Sequence, residues 1–184
     1  LAINKHKIVA QVLLDYGVPI NSPLPAGTIH STSTPIVTDI EKAKTILSKA
    51  GWTINKDGIL EKKDKKSTQT LEFSISTADS PELKQAAEMA KADWEVLGAK
   101  VDVKVFEYGD LAQNIIKTRK YDALLFGEFI GKDLDLYAFW HSSQRNSPGL
   151  NVAMYVNSKA DKLLEDARTT SDDADRESKY LAFQ

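Results

Sequence analysis

Cysteine is absent from the 184-residue chain. This absence excludes disulfide bonds, thiolate metal sites and cysteine nucleophiles. The three histidines, His6, His30 and His141, are far apart in sequence, and none has a second ligand at the i+4 spacing of helical metal sites. We therefore expect no metal site and no cofactor.

Other signals of catalysis are also missing, so we expect no catalytic residues and a protein that is not an enzyme. Gly127 and Gly131 are not followed by the Lys-Ser/Thr pair of a phosphate-binding loop. One enzymatic alternative stays open, a serine hydrolase, because His141, Ser142 and Ser143 supply a possible base and nucleophile in one loop. However, neither serine lies in a G-x-S-x-G motif.

Neither sign of charge dominates, since the chain has 24 basic and 26 acidic residues. The sequence has no basic stripe for nucleic acid, no basic aromatic helix for a membrane surface and no apolar run long enough to span a bilayer. The densest positive run, residues 62–66, lies between two predicted strands and is interpreted as a solvated hairpin tip. Nucleic acid is therefore excluded as a partner.

What is present is the composition of a globular protein, 42% hydrophobic and 27% charged. Helical and strand patterns alternate over residues 82–126, which predicts parallel strands joined by crossover helices and hence an α/β fold. Alternation in an earlier strand predicts that Leu71 and Ile75 are buried, whereas Ser74 and Ser76 lie on its exposed face.

Local signals also describe the first quarter of the chain. The residues from Thr38 to Glu41 match a capping box, in which Thr38 begins a helix. Residues 18–35 hold four of the six prolines and predict a long extended surface connection. The chain opens inside one apparent helix and stops inside another, so we expect a fragment of a longer protein.

The stretch from Tyr121 to Asp135 is the strongest candidate for a functional site. Its apolar first half is typical of a buried strand that ends at Gly127, and ligands of open α/β sheets bind beyond the carboxyl ends of strands. An ordinary strand-to-helix connection is the alternative. Aromatic residues beside both charge signs suit a zwitterionic ligand such as a peptide. They are Glu128, Phe129, Lys132, Asp133, Trp140 and the loop at 141–146, although a place for Trp140 in the core is equally compatible with the sequence.

Several short motifs occur in order along nearly the whole chain. They are Asn4-Lys-His-Lys-Ile-Val9 with Gly17-Val-Pro19, Asp39-Ile-Glu-Lys-Ala43 with Ala50-Gly-Trp52, Leu97-Gly98, Tyr121-Asp122 with Gly127, Asn151 with Tyr155, Asn157 and Asp161, and Arg176 with Tyr180. Their order resembles the C-terminal lobe of the family 5 extracellular solute-binding proteins, the oligopeptide- and dipeptide-binding receptors of ABC importers.

The resemblance implies a periplasmic-binding-protein-like lobe with a mixed sheet flanked by helices. In this interpretation residues 1–184 form a single lobe, truncated at both ends, and the ligand lies between it and a second lobe. The resemblance further implies an extracellular or periplasmic monomer that captures short peptides for the membrane subunits of an ABC importer. It also implies that a segment absent here tethers the full-length protein to the membrane. A nickel complex, haem, a sugar or an opine is the alternative ligand within the family.

The sequence departs from the family's pattern inside the candidate site. Many peptide binders have a tryptophan where this chain has Glu128, and the aspartate that holds the peptide amine falls near Ile130 or Gly131. Either Glu128 or Asp133 is therefore a candidate to replace it. The resemblance adds Ile130, Gly131 and Asn151 to the ligand-binding residues.

Overall fold

The structure, a computed structural model, describes residues 1–24, 37–131 and 134–184. The helices are α1 (Lys5–Val12), α2 (Ile40–Lys49), α3 (Pro81–Glu95), α4 (Tyr108–Asp110), α5 (Tyr137–Trp140), α6 (Ser158–Thr169) and α7 (Asp173–Phe183), with a π-helical turn at Leu111–Ile116 and a 3-10 turn at Ser142–Gln144. The strands are β1 (Thr53–Ile54), β2 (Leu60–Lys63), β3 (Thr68–Thr70), β4 (Glu72–Ala78), β5 (Lys100–Phe106) and β6 (Ala123–Leu125).

The strands form two sheets, which confirms the α/β class. One is antiparallel, in the order β1-β2-β3, and the other is parallel, in the order β5-β4-β6. Antiparallel and parallel pairings thus lie in separate sheets among the described residues, where the sequence had predicted one mixed sheet. The parallel sheet confirms the predicted crossovers, since α3 connects β4 to β5 and packs against both.

The central strand β4 corrects one prediction of burial. Ser74 and Ser76, expected on an exposed face, are buried together with Ile75. The reason is tertiary, because β4 pairs with a neighbour along both edges and the strands of parallel sheets are covered on both faces. Buried hydroxyls need partners, and Ser74 Oγ donates to Asp122 Oδ2 over 2.8 Å.

Helix ends follow the sequence closely, with one exception. Ser80 and Asn157 cap α3 and α6 through their side chains, and Gly51 adopts a left-handed φ of 87° after α2, all as predicted. The capping box at Thr38 is wrong. The cap is Asp39, whose Oδ1 accepts from the Lys42 amide over 2.8 Å, while Thr38 Oγ1 donates to Ile3 O.

The described chain divides into two compact units. The first comprises Leu1–Pro19, Ile36–Ile115 and Lys120–Phe126, and the second comprises Ile20–Pro35, Ile116–Arg119 and Gly127–Gln184, in both cases for the described residues. Both sheets belong to the first unit. The prediction of a single lobe over residues 1–184 stays a prediction. Residues 25–36, most of the predicted proline-rich connection, lie outside the described part of the chain.

Each unit has its own hydrophobic core. In the first unit, Ile75, Ala87 and Val101 join the sheet to α3, with Phe73 and Trp94 in an edge-to-face contact at 5.0 Å between ring centroids. In the second unit the core cluster consists of Leu24, Leu136, Leu164, Ala167 and Tyr180. No helix in the described ranges is long and apolar enough to cross a lipid bilayer.

Candidate functional site

The candidate loop follows the last strand of the parallel sheet. β4, β5 and β6 run in the same direction and end on one edge, at Ala78, Phe106 and Leu125. Phe126 is the last residue of the first unit, and Gly127 begins the last segment of the second. The loop therefore begins both at the carboxyl edge of the sheet, where α/β proteins bind ligands, and at the passage of the chain from one unit to the other.

Glu128 and Phe129 present an unusual pair of exposed groups. Phe129 leaves 90% of its surface in solvent. The Glu128 carboxylate has no hydrogen-bond or ion-pair partner within the described residues. Glu128 keeps contact with solvent, but neighbouring protein atoms desolvate it in part, and this burial raises the pKa of its carboxyl above the ordinary value. A cation would satisfy Glu128, and an apolar group would cover Phe129.

The next predicted residues differ in their placement. Ile130 is half-buried and packs against the core of the second unit. Gly131 is half-buried, and its carbonyl accepts from the Leu134 amide over 3.1 Å. Lys132 and Asp133 lie outside the described residues, so their predicted roles stay predictions. In the described segment, the site's exposed groups are therefore those that precede Ile130.

Trp140 lies against the core rather than free in solvent. Its ring meets Tyr155 at 6.0 Å and Phe183 at 6.2 Å between centroids, both edge to face. The indole is half-buried and contacts the core of the second unit. Its exposed remainder is available to a ligand, while its packed face holds α5 in place.

Asn151 has a structural position that the sequence did not indicate. It is 0% exposed, and its Nδ2 lies 3.2, 3.1 and 2.9 Å from the carbonyls of Trp140, His141 and Tyr155. Its Oδ1 accepts from the Tyr155 amide over 3.0 Å. Because every polar atom of this amide has a partner inside the protein, Asn151 positions the loop and leaves no polar atom for a ligand.

The loop that carries the two serines is held by a carboxylate. Asp161, on α6, accepts from the Ser142 amide over 2.8 Å and from Ser142 Oγ over 2.6 Å. Burial opposes the ionisation of Asp161, but these hydrogen bonds outweigh it, so that the pKa of Asp161 lies below its ordinary value. Ser142 is thereby committed to anchoring the loop.

His141 and Ser143 lie close together, as in a hydrolase, but two features oppose that role. Ser143 Oγ lies 2.8 Å from His141 Nδ1, whereas His141 Nε2, although 3.3 Å from Glu165 Oε1, makes no hydrogen bond within the described residues. In addition, His141 Nδ1 accepts from the Ser143 amide over 3.1 Å. An amide never gives up its hydrogen, so the one lone pair of Nδ1 is occupied and cannot serve as a general base.

Arg168, Tyr137 and His141 form a stack beside α5 that the sequence analysis did not predict. The rings of Tyr137 and His141 lie parallel at 4.1 Å between centroids, and the Arg168 guanidinium stands 4.3 Å from the Tyr137 centroid. Arg168 also pairs with Asp135 at 2.9 Å. His141 is the extended residue that ends α5, so no helical spacing in the sequence indicates this stack.

Arg119 is a second residue that the sequence did not single out. Its Nε donates to the Arg145 carbonyl over 3.1 Å and its Nη2 to the Gly149 carbonyl over 2.6 Å. Arg119 has a positive φ of 57°, which is rare for a residue with a side chain. These contacts fix the polar loop that follows α5, and no local pattern indicates them because the partners are 26 and 30 residues away.

An α/β fold with a polar and aromatic loop at the carboxyl edge of its parallel sheet is an arrangement typical of ligand-binding α/β proteins. The chain belongs to the bacterial extracellular solute-binding proteins of family 5, whose middle-region profile matches residues 1–151. Oligopeptide-binding protein AppA of Bacillus subtilis (strain 168) is 31% identical over 179 residues, which cover 93% of this chain and 32% of AppA. The prediction of the family is thus confirmed.

Solved structures agree with this assignment. AppA from Bacillus subtilis, in complex with a nonapeptide, matches with a TM-score of 0.84 and 28% identity, over 99% of this chain and 36% of AppA. NikZ from Campylobacter jejuni, in complex with Ni(L-His), matches with a TM-score of 0.83 and 28% identity, over 99% of this chain and 36% of NikZ. The chain spans about a third of the length of the relatives it matches.

Proposed function

We propose that the intact protein captures short peptides outside the cytoplasmic membrane and delivers them to the membrane subunits of an ABC importer. In this proposal the chain supplies one wall of the ligand cleft, it acts as a single lobe, and it is not an enzyme. Similarity to AppA, whose structure holds a nonapeptide, supports the choice of peptide. The whole protein is proposed to be a membrane-tethered monomer.

One observation carries the proposal, namely the partly desolvated carboxylate of Glu128, which has no partner among the described residues, beside the exposed ring of Phe129. A peptide has the two groups that this pair lacks: an amine to balance the carboxylate and a side chain to cover the ring. The amine anchor in our proposal is Glu128, with Asp133 as the alternative carboxylate. Trp140 is proposed to contribute an apolar surface and Ile130 and Gly131 to shape the loop, while Lys132 is our candidate to pair with an anionic group of the ligand.

The test is calorimetry of the intact protein with a library of short peptides. Glu128→Gln is expected to weaken binding at least ~10-fold, because a hydrogen bond to a charged group contributes about 1.5 kcal/mol or more. Glu88→Gln is the matched control, since Glu88 is also exposed and lies on α3, outside the candidate loop. A normal affinity in Glu128→Gln with a large loss in Asp133→Asn would move the anchor to Asp133.

The pH dependence of binding gives a second measurement. A carboxyl whose pKa is raised gains its proton at a higher pH than an ordinary glutamate, so the affinity for an amine should fall as the pH drops from 7 toward 5. This slope should flatten in Glu128→Gln. Equal binding of N-acetylated and free-amine peptides would contradict the amine anchor altogether.

Phe129→Ala separates a ligand contact from a structural role. With 90% of its surface exposed, the ring contributes little to folding, so its removal should leave the melting temperature unchanged. Affinity for peptides with large apolar side chains should fall, while affinity for glycine-rich peptides should not. A loss of stability without any change in affinity would refute this role.

A second candidate ligand follows from the likeness to NikZ, which was solved with Ni(L-His). Titration with the nickel–histidine complex, alone and in competition with a peptide, distinguishes the two. Binding of the complex with no peptide binding would overturn the peptide proposal and keep the solute-binding one. For the hydrolase alternative, we expect no labelling of Ser143 by a serine-reactive phosphonate, because His141 Nδ1 is occupied.

A further inference from the structure

The first unit contains a pocket that does not include the candidate loop. It has a volume of about 560 Å³, in the range typical of small-molecule sites. We name it the α2–α3 pocket, because the ends of α2 and α3 line it together with the β1–β2 hairpin. Among its lining residues are Leu47, Trp52, Ile54, Leu60, Glu95 and Val96.

The topology separates this pocket from the candidate cleft. Gly98, which lines the pocket, comes just before the amino end of β5 at Lys100. The candidate loop instead follows the carboxyl end of β6, and β5 and β6 both run parallel to β4. The pocket thus lies at the amino ends of the parallel strands, and the loop starts at their carboxyl ends.

The walls of the α2–α3 pocket are apolar and partly uncovered. Leu60 is buried, and Trp52 is half-buried. Ile54 and Val96 leave 58% and 60% of their surface in solvent although they border a concave site. A ligand in the pocket would remove this aliphatic surface from water, which is the main favourable contribution to such binding.

The uncompensated charge at the pocket is negative. Glu95 is the last residue of α3, whose last turn contains no basic residue, and its carboxylate has no partner among the described residues. The carboxyl end of a helix carries a partial negative charge, which adds to that of Glu95. Lys44 also lines the pocket, but its Nζ is paired with Glu41 Oε1 at 3.0 Å.

We propose that the α2–α3 pocket binds an apolar organic cation, an amine whose ammonium faces Glu95 and whose hydrocarbon body lies against Trp52 and Ile54. The ammonium compensates the negative end of α3, and Trp52 and Ile54 cover the hydrocarbon body. This site goes beyond the proposed peptide capture, because it lies outside the candidate cleft and uses none of its residues.

The experiment compares two probes that differ in the sign of their charge, phenethylamine and 3-phenylpropionate, by ligand-observed NMR on the intact protein. We expect millimolar binding of the amine, as is usual for a ligand of this size, and at least ~5-fold weaker binding of the anion. Glu95→Gln should weaken amine binding about 2- to 5-fold, as expected for a solvent-accessible charge pair. Glu88→Gln, an exposed glutamate on the same helix outside the pocket lining, should have no effect.

A second variant tests the apolar wall without endangering the fold. Ile54→Thr keeps a β-branched side chain on an exposed strand position and should weaken binding about 3-fold or more. Val105→Thr, at an exposed strand position outside the pocket, is its matched control. No amine binding, equal binding of the anion, insensitivity to Ile54→Thr, or displacement of the amine by a peptide bound in the cleft would each overturn the proposal.

Discussion

The buried amide of Asn151 allows a prediction with a magnitude worked from its contacts. Its Nδ2 has two hydrogens, which are distributed over three carbonyl oxygens, and its Oδ1 accepts one further bond. Removing the amide in Asn151→Ala therefore deletes about three hydrogen bonds. At about 1 kcal/mol each, the free energy of unfolding should fall by about 3 kcal/mol. For a chain of this length, that loss lowers Tm by about 6–12 °C.

An isosteric variant distinguishes hydrogen bonding from packing. Asn151→Asp keeps the shape of the side chain but directs a carboxylate at three carbonyl oxygens. The introduced carboxyl should have a raised pKa, so its penalty applies above the unfolded pKa of about 3.9 and disappears as the pH falls toward that value. The stability difference from wild type should thus be large at pH 7 and small near pH 4.

The assay is urea unfolding followed by near-ultraviolet circular dichroism, which reports the packing of Trp140 next to the loop. Asn146→Ala is the control, because Asn146 is an exposed asparagine of the same loop and its side chain makes no hydrogen bond within the described residues. Its effect should stay within about 0.5 kcal/mol. A loss below about 1 kcal/mol in Asn151→Ala, or a pH-independent loss in Asn151→Asp, would refute the reasoning.

Three further predictions concern residues outside the ligand loop. Ser74 donates through its hydroxyl and its amide to Asp122, and these bonds hold the pKa of the Asp122 carboxyl below its ordinary value. Asp122 therefore stabilises the fold above its unfolded pKa, and this stabilisation is lost as the pH falls through the folded pKa. In urea unfolding, Asp122→Asn should be less stable than wild type at pH 7 but should match it near pH 2. Gly98→Ala should cost about 1–3 kcal/mol in thermal unfolding, because φ is 93° there and a Cβ would come within 2.6 Å of an isoleucine methyl, whereas Gly109→Ala, with open space around it, should be neutral or stabilising. Arg119→Lys loses the planar fork that reaches two carbonyls, so hydrogen exchange over residues 145–149 should accelerate, and an unchanged exchange rate would contradict that role.

Much of the fold was readable because its signals are local. The caps at Ser80 and Asn157 and the left-handed Gly51 each depend on a few neighbouring residues, and all were predicted correctly. The capping box failed because two adjacent residues, Thr38 and Asp39, both qualify as caps. The choice between them was made by a partner 35 residues away, since Thr38 Oγ1 bonds the Ile3 carbonyl.

Burial was predictable only where it follows from alternation along one strand. Ile75 is buried as its pattern indicates, but Ser76 is buried because β4 occupies the centre of the sheet. Strand order is set by pairing between segments distant in sequence, which no single-strand pattern encodes. The same limit applies to the division into two sheets and to the division of the described chain into two units.

The sequence by itself determined the family and singled out the candidate loop, since ordered motifs and an apolar run that stops at Gly127 are properties of the chain. Only the tertiary structure decided what each side chain of that site is free to do. Asn151 and Ser142 are occupied by internal hydrogen bonds, whereas Glu128 has no partner in the described part of the chain and Phe129 is left in solvent. The physical reason is that a side chain's availability depends on which distant atoms satisfy or cover it, and those atoms are brought near only by folding.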